Sequence, residues 1–229
     1  ELDEVSMVMN ATILNRDPYV NLSTMTPSVN AGEQITFNAS DSGDRDTISP
    51  EGQHVTITWP GSACDEGLYG PYCTISPQEE GTHQIEVVVT DDDNASVSDF
   101  LTYDVLNVAP TIGEMSFSID GIPYLPAEDG TWSIDEDVIA TLEIEGDDTL
   151  SDKEDLLITW SYDVEGLENW TTTTSGPNSE ISASWGTSGI HTIRAFAIDD
   201  DGATSMEVLG YVQVNNIAPV LDALPVQQS

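Results

Sequence analysis

Basic side chains are nearly missing from this chain. Its 229 residues carry four Lys and Arg against 42 Asp and Glu, a formal net charge of -38. Nucleic acid is excluded as a partner on that ground, because phosphate binding needs Lys and Arg. Docking on anionic membranes is disfavoured for the same reason. Long apolar runs are missing too: none approaches the ~18 residues of a membrane helix, so no membrane insertion is expected in this segment. No long amphipathic helical pattern is present. Cysteine is limited to Cys64 and Cys73, and metal binding by thiolates would want more Cys or His nearby. Histidine occurs at His54, His83 and His191. No Cys–His or Ser–His–Asp set recurs, and there is no Gly-rich phosphate loop. Nothing supports a catalytic nucleophile, and a non-enzymatic protein is expected. The opening residues, ELDEVSMVMN, lack the basic start of a signal peptide, which reads as a mature product or an excised fragment.

The chain is rich in repetition instead. GTHQIEVVVTDDDNA runs from Gly81 to Ala95, and GIHTIRAFAIDDDGA from Gly189 to Ala203. Gly, His, Ile, three Asp and Ala stand at the same offsets in both. Two copies of one structural unit follow, and the length suits two domains of about 100 residues each. Short segments alternate apolar and polar residues between Gly, Asn, Asp, Pro and Ser, which predicts strands. HVTITW ends at Trp59 and DLLITW at Trp160. Each reads as a central strand of a sandwich core, with its Trp as an anchor. Ile85, Val87 and Val89 share one strand face, as do Ile193, Ala195 and Ala197. His83 and His191 begin these strands at equal positions, which argues for a structural ring bonded to nearby backbone.

The boundaries follow from a third recurrence. VSDFLTYDVLN ends at Asn107 and MEVLGYVQVNN at Asn216, each followed by two residues and Pro (Pro110, Pro219). EVSMVMNATILN ends at Asn15 and leads to Pro18. Residues 1–14 therefore read as the last strand of a preceding repeat and 216–229 as the first strand of a following one. Domain 1 is expected over 15–107 and domain 2 over 108–215. The segment reads as a slice of a tandem array; a head-to-tail polymer completed by strand exchange is the competing reading.

Cys64 and Cys73 lie nine apart around a Gly- and Pro-containing turn. A disulfide closing this loop is expected, and it implies an oxidising, extracellular location. Asn-x-Ser/Thr sequons at Asn10, Asn21, Asn38, Asn94 and Asn169 point the same way as candidate glycosylation sites, although a Ser- and Thr-rich chain produces some by chance.

The linker NRDP, GEQITFNASDSGDRD from Gly32 to Asp46, TITW to Trp59 and GTHQIEVVVTDDDN resemble the PKD-domain family of tandem Ig-like repeats on cell surfaces and beside secreted enzymes. Domain 2 keeps the linker, the Trp strand, the Asp turn and SDKE from Ser151 to Glu154, but its first half departs from the pattern. The family's W-D-F-G-D-G hairpin is replaced by WPGSACD and WSYDVEG, and His83 and His191 stand where Tyr is usual. The resemblance implies an all-β architecture of two tandem seven-stranded β-sandwiches. It implies less about function, because such sandwiches host many roles.

That fold places the linker, the B–C loop and the F–G loop at one pole. In domain 1 this gathers Asn15 and Asp17, then Asp41, Asp44 and Asp46, then Asp91, Asp92 and Asp93. In domain 2 it gathers Asn107, then Asp147, Asp148, Asp152, Glu154 and Asp155, then Asp199, Asp200 and Asp201. Like charges so close repel, and hard oxygen ligands without nearby His or Cys suit Ca²⁺. The candidate ligands are Asn15, Asp17, Asp44, Asp46, Asp91 and Asp93 in domain 1, and Asn107, Asp152, Glu154, Asp199 and Asp201 in domain 2. Glu33, with Glu79 and Glu80, is expected at the far end of domain 1, in an arrangement that resembles the calcium-stiffened linker of cadherins. A solvated acidic turn is the alternative, since Asp, Asn and Gly are favoured turn formers.

The expected role is a structural spacer of a cell-surface or filament-forming protein, stiffened by Ca²⁺. Its partners would be neighbouring repeats, other copies of the chain, or a surface protein or glycan. An adhesion or carbohydrate-binding module is the alternative, with Trp132, Trp170, Trp185 and Tyr162 as a candidate sugar face, against the favoured reading of these aromatics as scattered core and edge packing; an accessory domain of a secreted hydrolase is a third.

Overall fold

A computed structural model describes residues 14–45, 55–164 and 167–219, leaving aside the side chains of 163–170. The expected preceding strand at 1–14, apart from Leu14, and residues 220–229 of the expected following strand lie outside the described residues, as do Asn10, Asp46 and His54; residues 216–219 are described and are not in a strand. The chain divides into two compact units, with the division between Leu106 and Asn107. Both are all-β.

Unit 1 has seven strands among the described residues: β1 (Ser23–Thr24), β2 (Ser28–Asn30), β3 (Ile35–Asn38), β4 (Thr56–Thr58), β5 (Tyr72–Ile75), β6 (Gly81–Thr90) and β7 (Ser96–Leu106). They form two sheets, β1-β3-β5 and β2-β7-β6-β4. Period-2 alternation turns Ile35 and Phe37 of the first sheet, and Ile57, Ile85, Val87 and Val89 of the second, into one core. Phe37 meets Tyr103 of β7 edge-on at 5.2 Å between ring centroids. Trp59, just after β4, is fully buried and donates Nε1–H to the Gly70 carbonyl at 2.9 Å. Cys64 and Cys73 form the expected disulfide, tying the loop before β5 to that strand.

Unit 2 has ten strands among the described residues: β8 (Thr111–Ile112), β9 (Ser116–Ile119), β10 (Ile122–Pro123), β11 (Thr131–Asp135), β12 (Ala140–Asp147), β13 (Leu157–Val164), β14 (Leu167–Ser175), β15 (Asn178–Ala183), β16 (Gly189–Ile198) and β17 (Val208–Asn215). The expected seven-stranded count does not hold here. A short β9–β10 hairpin and a long β13–β14 hairpin enlarge the unit. One sheet runs β10-β9-β12-β15, with β8 on β12, and the other β11-β17-β16-β13-β14. Phe117, Leu142, Ile144 and Ile181 of the first pack on Trp132, Ile158, Trp160, Ile193 and Val212 of the second.

The units share one topological device. The chain enters each sandwich in one sheet and then crosses to the other, where β2 pairs parallel with β7 and β11 parallel with β17. This split first strand leaves the linker beside the turns that end β3 or β12 and β6 or β16.

Candidate cation sites at the poles

The acidic turns are built from their first Asp. Asp91 and Asp199 end β6 and β16 and are buried, at 5% and 3% exposure. Each closes its turn twice. The backbone N–H of Asp91 donates to the Ala95 carbonyl at 3.0 Å, and Asp91 Oδ1 accepts the Ala95 N–H at 2.8 Å. Asp199 repeats this with Ala203, at 3.1 and 2.7 Å. The turns need a left-handed residue, supplied by Asn94 (φ 69°) and Gly202 (φ 86°), residue types that tolerate it. Asp92, Asp93, Asp200 and Asp201 stand exposed at the tips.

The second carboxylate oxygen faces the linker. Asn15 Nδ2 donates to Asp91 Oδ2 at 3.0 Å, and Asn107 Nδ2 donates to Asp199 Oδ2 at 2.9 Å. An Asn before each sandwich thus clamps the far turn of that same sandwich. In unit 1 the linker also joins the loop after β3, because Tyr19 and Gly43 exchange backbone hydrogen bonds at 2.7 and 3.0 Å. Asp44, next to Gly43, is buried. The guanidinium of Arg45 lies 5.3 Å from the Tyr19 ring centroid.

The pole of unit 2 carries more unrelieved charge. Asp152 is buried and accepts Thr149 Oγ1–H at 2.8 Å. Burial pushes the Asp148 carboxyl up from its ordinary value, and the charges of Asp152, Asp199 and Asp147 push the same way, against the pull of the Thr149 amide. Asp147 goes the other way: Lys153 Nζ, 2.7 Å from it, holds its carboxyl down. Two buried oxygens here, Asp148 Oδ2 and Asn107 Oδ1, have no hydrogen-bond partner. Orphaned acceptors among carboxylates are costly without a positive partner.

Of the sequence candidates, the structure brings Asn15 to Asp91, with Asp44 in the loop that Tyr19 joins. It brings Asn107 to Asp199, with Asp152 among the charges that act on Asp148. Asp17 and Glu154 are exposed, and the described hydrogen bonds include none from Asp17, Asp93 or Asp201. Glu33 belongs to a turn, its Oε2 accepting the Asn30 N–H at 3.2 Å. The ligand list missed Asp148; its signal was only membership of the run Asp147-Asp148. The two described histidines are turn fasteners. His83 Nε2–H donates to the Glu79 carbonyl and His191 Nε2–H to the Thr187 carbonyl, both at 2.8 Å. Trp132, Trp185 and Tyr162 are buried, so they do not form an exposed sugar face.

No family model matches this sequence, and no curated protein matches it. Solved structures similar to it include the fibronectin(III)-like modules of Clostridium thermocellum CbhA, with 16% identity over 86% of this chain and 95% of that one, TM-score 0.34. The Yersinia pseudotuberculosis adhesin InvE matches at 13% identity over 86% of this chain and 60% of its own, TM-score 0.36. Carbohydrate-binding modules of the β-sandwich superfamily match at 13% identity over 87% and 97%, TM-score 0.33.

Proposed function

We propose that the chain is a non-enzymatic spacer repeat of an extracellular, cell-surface or filament-forming protein, stiffened by Ca²⁺ at the poles of its sandwiches. The observation that carries the calcium reading is the pair of partnerless buried oxygens, Asn107 Oδ1 on the linker beside Asp199 and Asp148 Oδ2 in the loop that holds Asp152. Ca²⁺ takes six to eight oxygens at about 2.3–2.6 Å and accepts carboxylates, amides and water in irregular geometry. A cation there would satisfy both orphans, offset the crowding around Asp148 and fix the linker Asn to the loops it faces. The pole of unit 1, with Asn15, Asp44 and Asp91, is the weaker counterpart.

Duplication of the same Asn–Asp clamp in both units supports a mechanical role. The carbohydrate-binding alternative has lost Trp132, Trp185 and Tyr162 to the core.

Thermal melting in Ca²⁺, in Mg²⁺ and in a chelator, each at constant ionic strength, tests the proposal. Ca²⁺ is expected to raise the melting temperature of unit 2 more than Mg²⁺ does, and calorimetry to show saturable binding. Melting curves and scattering profiles that a chelator leaves unchanged would remove the calcium part and leave only a β-sandwich spacer.

A further inference from the structure

The two units treat the same sheet face differently. On the outer face of β9-β12-β15 in unit 2, a groove of about 460 Å³ is lined by Glu114, Glu143, Glu145 and Glu180. Glu143 and Glu180 stand directly opposite each other on neighbouring strands. The corresponding face of unit 1, on β1-β3-β5, has a groove of about 300 Å³ whose lining includes Ser23, Met25, Gln34, Thr36, Asn38 and Tyr72 and holds no charged residue. Carboxylates meet this face only beside the groove, where Gln34 Nε2 donates to Asp65 Oδ2 at 3.4 Å and Thr74 Oγ1 to Glu66 Oε1 at 2.7 Å. Met25 is 98% exposed on it and Tyr72 46%.

Two sequons converge on the neutral face. Asn21-Leu22-Ser23 leads into β1, and Asn38-Ala39-Ser40 ends β3. The register pairs Ser23 with Asn38 and Asn38 with Tyr72. Residues directly opposite on antiparallel strands point the same way, with Cβ atoms about 4.5–5.5 Å apart. Asn38 Oδ1 accepts the Ser40 N–H at 2.8 Å, while the described hydrogen bonds take nothing from Asn38 Nδ2. Asn94 is placed differently, in the acidic tip after Asp91–Asp93, and the lining of the acidic groove of unit 2 includes no sequon; Asn10 and the Asn169 side chain lie outside the described residues.

We infer that Asn38 carries an N-linked glycan, and that this glycan covers the neutral face with its first sugar against the Tyr72 ring. Nδ2 attacks the anomeric carbon of a glycosyl phosphate donor. The N–C bond forms, the anomeric C–O bond breaks, the phosphate leaves with the electron pair, and one Nδ2 proton is released. Nothing is oxidised or reduced. An apolar sugar face then covers the exposed aromatic, while its hydroxyls meet water and the Ser, Thr and Gln groups that line the groove. The inference is independent of the calcium reading.

The test begins with the protein purified from the organism that makes it. After proteolysis, the peptide that spans Asn38-Ala39-Ser40 is expected to carry the added mass of a glycan, mapped to Asn38 by fragmentation in the mass spectrometer. Ser40→Ala and Asn38→Gln are each expected to abolish that attachment. An Asn38 bare of sugar in the native material overturns the inference, whatever the state of Asn94 or Asn169. The role of Tyr72 is read separately. The glycan is expected to raise the melting temperature of unit 1 by ~4–8 °C in the wild type, the shift that a modest stabilisation produces in a domain of about 100 residues. Little or no gain is expected in Tyr72→Ala. Equal gains in both overturn the stacking.

Discussion

Position within the run of three Asp decides what each carboxylate does. Asp199 is buried, with one oxygen on the Ala203 amide and the other on Asn107; Asp200 and Asp201 are exposed. Asp199→Ala is therefore expected to cost about 1.5–3 kcal/mol in urea unfolding, the scale of hydrogen bonds to a charged group. Asp201→Ala should stay within about 0.5 kcal/mol. Asp91→Ala should reproduce the first result in unit 1. Asp148 carries a pH dependence. Its folded carboxyl is raised by burial first and by neighbouring charges second, so its contribution to stability is complete below the unfolded value and falls as pH rises through the folded one. Asp148→Asn removes that loss. Without divalent cation its melting temperature should exceed the wild type at neutral pH and match it in acid, while its response to Ca²⁺ should shrink. A wild-type response to Ca²⁺ in Asp148→Asn would place the ion elsewhere. The duplicated run marked the Asp turns in the sequence, but not which Asp points inward. Asp147 and Asp148 look equivalent on paper, yet one pairs with Lys153 and the other turns into the crowded pole.

The strands that sequence alternation located best are those whose own residues form the core. Trp59 and Trp160, each closing a short apolar run, are both fully buried. Long-range pairing left no such trace. The parallel contacts of β2 with β7 and β11 with β17 depend on short first strands far along the chain from their partners. Core or edge packing was the favoured expectation for Trp132, but its place over β17 was hidden with them, although its alternation with Ile134 in TWSID is a strand signal. Trp132 packs over β17 at Gly210, where an added Cβ would lie 3.0 Å from the Trp132 ring and 2.9 Å from Met115 Sδ. Met115 can swing away and the indole cannot, since Phe117 stacks on it at 5.2 Å. Gly210→Ala is accordingly expected to cost about 1–3 kcal/mol, as overpacking does. A companion Met115→Ala change should recover only part of it. Full recovery would show that the thioether, not the indole, limits the space.

Across the whole molecule, two of the four basic side chains are spent on single ion pairs, Lys153 with Asp147 and Arg194 with Glu207. The remaining excess of negative charge acts on the folded state as self-repulsion. Two sources of salt dependence therefore overlap. Screening is general: the Debye length falls from about 10 Å at 0.1 M salt to about 3 Å at 1 M, so sodium chloride should raise the melting temperature of both units until the effect levels off. A bound cation is local, and buried groups are screened far less. At 1 M sodium chloride the general term is nearly saturated, so a remaining difference between Ca²⁺ and chelator reports the pole itself. That difference is expected to persist in the wild type and to vanish in Asp199→Ala, although both proteins have almost the same net charge. A difference that disappears in salt for the wild type as well would make the acidic poles a matter of solvation. The duplicated clamps would then hold their linkers by the Asn–Asp bond alone.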